Sequence, residues 1–325
     1  MNRPPQTAIR VTAEQLQPFV ETLTRAAGLA ADKARLLAEL LTANELRGVR
    51  SHGVQQAAAY ARLLRDGQLN PDPQLTVERE TPLSLIVDGD GGLGYFPAHA
   101  GTLRAIDKAK AVGAAVMLTR NHGHFGAAGL YSRLTLAHDL ICFVTSGHQL
   151  HLAPGDALSR AAGGSPMSFS APAGAEASLL LDFGVMHDFY REEIVVAVNE
   201  MAPGLVLRSI GLGEVCQAWG GLLSGLSIDA ARPRWTWPGA NQGSLVFAFR
   251  IDLFMEPAAF KAEMDEYVRR VRRLAPLAGF DQSFMPGGVE AAREAEYRRA
   301  GIPLGDEQRQ RLEKVAGELG VGVPW

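Results

Sequence analysis

An α+β fold is expected, with helices at both ends of the chain and a mixed helix and strand region between them. Apolar residues recur at three- and four-residue spacing through about the first 70 residues, which predicts helices. Strand-length apolar runs then alternate with helical patterns, and about the last 70 residues return to charged amphipathic helices. The two helical ends are expected to pack together, giving a helical domain of residues 1–78 and 257–325 beside a sheet domain of residues 79–256.

Thr12 followed by Gln15 forms a capping box ahead of Leu16, Phe19, Val20, Leu23 and Ala27, which share one helical face. Leu37, Leu40 and Leu41 continue the pattern until Gly48, and a third helix is expected from Val54 to Leu64. Asn70 to Pro82 carries three prolines in a polar stretch and suggests a linker. Beyond it come the strand LSLIVDG, a helix from Pro97 to Val112, the strand AAVMLT, a helix from Ala127 to Ala137 and the strand LICFVTS. PMSFSAP and SLLLDFG follow a turn at Gly163 and Gly164, and Ser244 to Phe254 makes another strand. Helices at Glu256–Arg273, Val289–Ala300 and Leu304–Leu319 complete the chain, with Pro286, Gly287 and Gly288 separating the first two.

With 325 residues, 47% hydrophobic and 21% charged, the chain has the composition of an ordinary globular protein. Thirty-two basic side chains against 35 acidic ones leave a net charge of −3, so no overall field recruits nucleic acid or an anionic membrane. Cys142 and Cys216 can build neither a disulfide framework nor a C-x-x-C metal site. The opening stretch MNRPPQTAIRVTAEQ has no apolar core of the signal type, and no charge-free run is long enough to span a bilayer. A cytoplasmic location and a small-molecule substrate are expected.

All eight histidines fall between His52 and His187. NELRGVRSHGVQQ places Ser51, His52 and Gly53 at the junction of two helices, where His52 could act as general acid or base; the bland alternative has Ser51 capping the next helix and His52 at the surface. TRNHGHFGAAGLYS runs from a strand through His122, His124 and Gly126 into a helix, the transition at which ligands meet free backbone N–H groups, or else an ordinary turn. His122 and His124 have the spacing of zinc ligands, but no further ligand stands at useful spacing, and no metal is expected. A P-loop and a G-x-S-x-G elbow are absent, and the glycine run in GDGGLGYF is not expected to mark a Rossmann domain.

LRGVRSHGV, NHGHFGAAGLYS, SLLLDFG, GGLLSG, NQGSLVFAF, MPGG and GIPL, in this order, resemble the type 2 malate/L-lactate dehydrogenase family over nearly the whole chain. That family includes ureidoglycolate and sulfolactate dehydrogenases, diketogulonate reductase and cyclic-imine reductases. The resemblance implies a non-Rossmann fold with a helical domain from both chain ends, a mixed, largely antiparallel sheet domain that holds NAD or NADP, and a homodimer. It implies that His52 is the proton donor, that Asp182 orients it and that His124 lines the site. Cofactor contacts are implied at Ser51, Gly126, Ser165, Pro166, Met167 and Arg208, and substrate contacts at Gln56, His122 and His148.

Gln56 stands where the family usually carries an arginine for a substrate carboxylate, so a standard 2-oxoacid is not the expected substrate. The family's D-M-A-T-S stretch is Asp182, Phe183, Gly184, Val185 and Met186, its G-T-N-P is shortened to Gly164, Ser165 and Pro166, and its G-H-K-G is Val206, Leu207, Arg208 and Ser209. Three functions follow: hydride transfer between NAD(P)H and a carbonyl or imine; cofactor-independent proton transfer, as in a lyase, isomerase or cyclase; and a non-catalytic dimeric homologue.

Overall fold

A computed structural model describes residues 4–189, 191–229, 232 and 235–325, which form two compact units. The first comprises residues up to Pro73 together with Gly287–Trp325. Its helices are α1 (Ala13–Ala26), α2 (Ala31–Leu46), α3 (Gln56–Arg65), α9 (Gly288–Ala300) and α10 (Asp306–Leu319). The expected capping box starts α1, with Thr12 Oγ1 accepting the Gln15 N–H and Gln15 Oε1 accepting the Thr12 N–H. Leu16, Leu23, Leu37 and Leu41 are fully buried and form the core of this unit. Leu304, expected to open the last helix, instead belongs to strand β9 (Ile302–Gly305), which pairs antiparallel with β1 (Ala8–Val11) in the arm ahead of α1.

The second unit spans Gln74–Pro286 and carries a seven-stranded sheet. Its strands are β2 (Thr76–Glu80), β3 (Ser84–Asp88), β4 (Ala114–His122), β5 (Leu140–His148), β6 (Pro166–Ala171), β7 (Leu179–Gly184) and β8 (Gln242–Arg250), in the order β2-β3-β4-β8-β5-β6-β7. Only β3 and β4 run parallel, joined by helix α4 (Tyr95–Val112); every other neighbouring pair is antiparallel. Helix α5 (Gly129–Leu136) links β4 to β5, and β8 inserts between them. This order and the mixed pairing exclude a Rossmann sheet.

Two expected boundaries move. The chain enters the sheet unit at Gln74 rather than after residue 78, because Thr76–Glu80 of the proline-containing stretch pairs with β3 as a strand. Helix α8 (Pro257–Arg272), expected with the chain ends, belongs to the sheet unit. Asp265 of α8 accepts the N–H groups of Gly174, Ala175 and Glu176, and Lys261 pairs with Asp139 at 2.9 Å. These bonds anchor the helix to the sheet's loops. Among the described residues no helix is long and apolar enough to cross a membrane, and no group of three or more His, Cys, Asp or Glu could hold a metal.

Candidate active site

In the helical unit the candidate residues lie at the turn between α2 and α3, where Arg50–His52 form one turn of 3₁₀ helix. Polar side chains secure its backbone: Asn44 Nδ2 donates to the His52 carbonyl at 2.9 Å, Gln55 Nε2 to the Arg50 carbonyl at 2.8 Å and Gln56 Nε2 to the Ser51 carbonyl at 2.6 Å. Ser51 Oγ and His52 Nδ1 share a hydrogen bond of 3.0 Å, which fixes the ring's orientation and separates the roles of its two nitrogens. Gln56, expected as a substrate contact, therefore has its amide nitrogen engaged by the turn itself.

In the sheet unit the topology gathers most of the remaining candidates at one end of the sheet. His122 at the end of β4 and His148 at the end of β5 flank Gln242 at the start of β8. Pro166 pairs with Gly184, and Ser168 with Asp182, on the adjoining strands. Ligands of open sheets that contain parallel strands favour the carboxyl ends of those strands.

Asp182 lies against the first residue of α5: a Cβ on Gly129 would stand 2.5 Å from Asp182 Oδ2. Glycine is thus required there for the carboxylate to sit over a helix N-terminus, where the N–H dipoles favour negative charge. The loop between β4 and α5 bends at Gly126, whose φ is +82° and whose Cβ would meet the Tyr95 ring at 2.5 Å. His124, half-buried, meets the Tyr95 ring edge-on with centroids 6.4 Å apart. These residues leave His124 and Asp182 partly accessible on a rigid support.

Several expected contacts have another role. His122 is fully buried, with Nδ1 bonded to the Gly123 carbonyl at 2.7 Å and Nε2 to Thr119 Oγ1 at 2.7 Å. Burial pushes its imidazole down to about 4, so it is a neutral strut for the loop rather than a substrate contact. Ser165 is fully buried at φ +49°, with its hydroxyl donating back to the Ala162 and Gly163 carbonyls. The Pro166 carbonyl accepts Thr145 Oγ1 at 2.7 Å, and Met167 is buried in the core. The Ser165 and Met167 side chains are thus buried, while Pro166 is partly exposed. His148 is half-buried, which holds its imidazole below the usual range; its backbone N–H is bonded to Gln217 Oε1 at 3.1 Å.

Features suited to an anionic dinucleotide remain beside them. Arg208 is exposed on α7 (Pro203–Cys216), with no carboxylate at ion-pair distance among the described residues. Gly164 is open apart from the His148 ring, whose nearest atom would lie 3.8 Å from an added Cβ. An exposed guanidinium suits a phosphate, and an open glycine edge beside an uncharged imidazole leaves room for a flat ring; these residues fit a nicotinamide dinucleotide. Sequence reasoning missed Asn44, the buried Glu45 behind the His52 turn, and Gln217, which begins a π-helical turn (Gln217–Leu222). The only sequence signal for the last was the unusual pair Gly220 and Gly221, which lie backbone to backbone against Gly147.

The family model described as malate/L-lactate dehydrogenase matches residues 11–187 and 193–313. The L-sulfolactate dehydrogenase of Methanocaldococcus jannaschii is 27% identical over 326 residues, covering 91% of this chain and 93% of that protein. The ureidoglycolate dehydrogenase (NAD(+)) of Escherichia coli K12 is 23% identical, covering 94% and 95%. Among solved structures, malate dehydrogenase from Pyrococcus horikoshii OT3 superposes with a TM-score of 0.85 at 24% identity, covering 99% of both chains. With the family model spanning both units, the chain belongs to the malate/L-lactate dehydrogenase family.

Proposed function

We propose that this protein is an NAD(P)-dependent reductase of a carbonyl or imine, with His52 giving the proton to the substrate oxygen or nitrogen. Family membership supports the redox class, and the built His52 turn carries the assignment of the acid: three side-chain amides hold its backbone and Ser51 holds Nδ1. A bound nicotinamide would supply the hydride, with Arg208 and the Gly164 edge holding the dinucleotide. Proton transfer is assigned to His52 Nε2, and Asp182, the carboxylate over the start of α5, is assigned as a second catalytic group. His124 lines the substrate side.

The amide at Gln56 supplies no charge for a substrate carboxylate, so neutral ketones and imines are the favoured substrates. Cofactor-independent proton transfer is a second reading, favoured by the inward-turned Ser165 hydroxyl. Calorimetric titration with NADH and NADPH separates the two. Binding of either, followed by oxidation of the bound form by a ketone or imine, supports the reductase. Absence of binding to both, with solvent deuterium entering a substrate, supports the second reading.

A homodimer is the proposed assembly. Leu181, Phe169, Phe143 and Phe247 are direct cross-strand neighbours on one face of the sheet, and three of them are more than a third exposed, an apolar row suited to a second copy. Light scattering should give twice the 34.8 kDa of the chain, and a monomer at micromolar concentration would reject the assembly.

A further inference from the structure

Directly behind the His52 turn lies a carboxylate to which the reaction assigns no part. Glu45 is 1% exposed at the end of α2, and its Oε2 accepts the Val54 N–H at 2.9 Å. Its neighbour Asn44, also buried, holds the His52 carbonyl. The two consecutive side chains therefore grip the chain on either side of Gly53. A Cβ on Gly53 would collide with the Glu45 carboxylate, so the glycine is what lets the acid reach its seat.

The other oxygen, Oε1, is buried without a hydrogen-bond partner among the described residues, and Arg50 Nε stands 3.9 Å from it. Gln308 approaches from α10, with its own buried Nε2 unpartnered. From α9, the Arg293 side chain lies over Gly48, and Glu294 pairs with Arg47 at 2.9 Å. A buried acid with one charge partner at the edge of ion-pair distance and one orphaned oxygen is poised between two protonation states.

We propose that Glu45 is a positioning residue for His52, whose carboxyl clamps the turn and whose ionisation loosens it. The inference rests on His52 being the proton donor. When ionised, Glu45 makes a charge-assisted bond to the Val54 N–H and attracts Arg50. Those gains are smaller than the cost of charging a buried oxygen, so ionisation favours a turn opened enough to solvate the acid, and the backbone that presents the imidazole is then held less firmly. Burial pushes the acid up to about 7, which puts the change inside the working range of a histidine.

The test is the NMR titration of histidine ring carbons in the 325-residue protein, with the His52 signal assigned by its loss in His52→Asn. In the wild type His52 should follow two steps, one its own and one near pH 7 from Glu45. Glu45→Gln should reduce the curve to a single step. Gln308→Met removes a neighbour that favours the ionised acid, and should move the second step upward without touching the turn. Glu45→Gln and wild-type curves that superimpose would overturn the proposal, as would a second step unmoved by Gln308→Met. The latter decides if Glu45→Gln does not fold. No substrate or cofactor enters the measurement, so failure of His52 as proton donor would appear separately, as unchanged turnover in His52→Ala.

Discussion

Replacing His122 by glutamine should change the pH dependence of stability more than stability itself. The imidazole is buried between Gly123 and Thr119, and burial lowers it to about 4 from 6.5, with the Gly123 carbonyl opposing the shift only in part. In the unfolded chain His122 takes up its proton near 6.5, whereas the folded protein refuses it until about 4. The neutral ring's contribution is therefore complete above pH 6.5 and is lost as pH falls towards 4. At about 1.36 kcal/mol per pH unit, that difference amounts to about 3 kcal/mol.

Glu45 works in the opposite sense over nearly the same window. Its acid is raised from 4.5 to about 7, so its contribution is complete below 4.5 and is lost as pH rises through 7, again by about 3 kcal/mol. The two dependences nearly cancel in the wild type, and only a comparison of variants reveals either. Urea unfolding at pH 7.5 and pH 4.5 should show the wild type's advantage over His122→Gln shrinking by about 2 to 3 kcal/mol at the lower pH. Its advantage over Glu45→Gln should grow by a similar amount. An equal difference at the two pH values would refute the assignment of His122 as a buried neutral strut.

Further outcomes follow from the same geometry. Gly126→Ala should lower stability by about 1 to 3 kcal/mol, measured by thermal unfolding, because a side chain at φ +82° is strained and its Cβ meets the Tyr95 ring. Thr12→Ala should cost about 1 kcal/mol through loss of the capping box at α1. Gln56→Arg should raise the affinity for simple 2-oxoacids such as pyruvate about tenfold by calorimetry, the gain of a charge-assisted contact of about 1.4 kcal/mol. Unchanged binding would mean that position 56 does not face the substrate.

The helices and most of the sheet were legible because their apolar spacing follows from burial of one face: the Thr12–Gln15 box, the Leu37–Leu41 stripe and the LSLIVDG strand all form as expected. Strands with no such face were not. Thr76–Glu80 is almost wholly exposed and so shows no alternation, and β1 exists only through its pairing with β9, some 290 residues away in the chain. The placement of α8 turned on Asp265, a charged residue that pattern reading assigns to solvent but that here satisfies three loop N–H groups.

Candidate residues were legible where chemistry shows in residue type, as at the Ser51–His52–Gly53 turn and at Asp182. His122 was misread because nothing in the motif reveals the register irregularity between Thr119 and His122 at the end of β4, where the ring lies buried against Thr119. Glu45 was invisible for a related reason: an acidic residue near the end of an amphipathic helix is ordinarily solvated.

His52 is proposed to move the proton. His52→Ala, assayed on the first ketone or imine shown to oxidise the bound nicotinamide, with circular dichroism recorded on the same sample, tests it most directly. The expected loss is roughly 10² to 10⁴ in kcat/KM, about 3 to 5 kcal/mol of transition-state stabilisation, with the fold retained. Undiminished turnover by a correctly folded His52→Ala protein would contradict it and pass the role to His124.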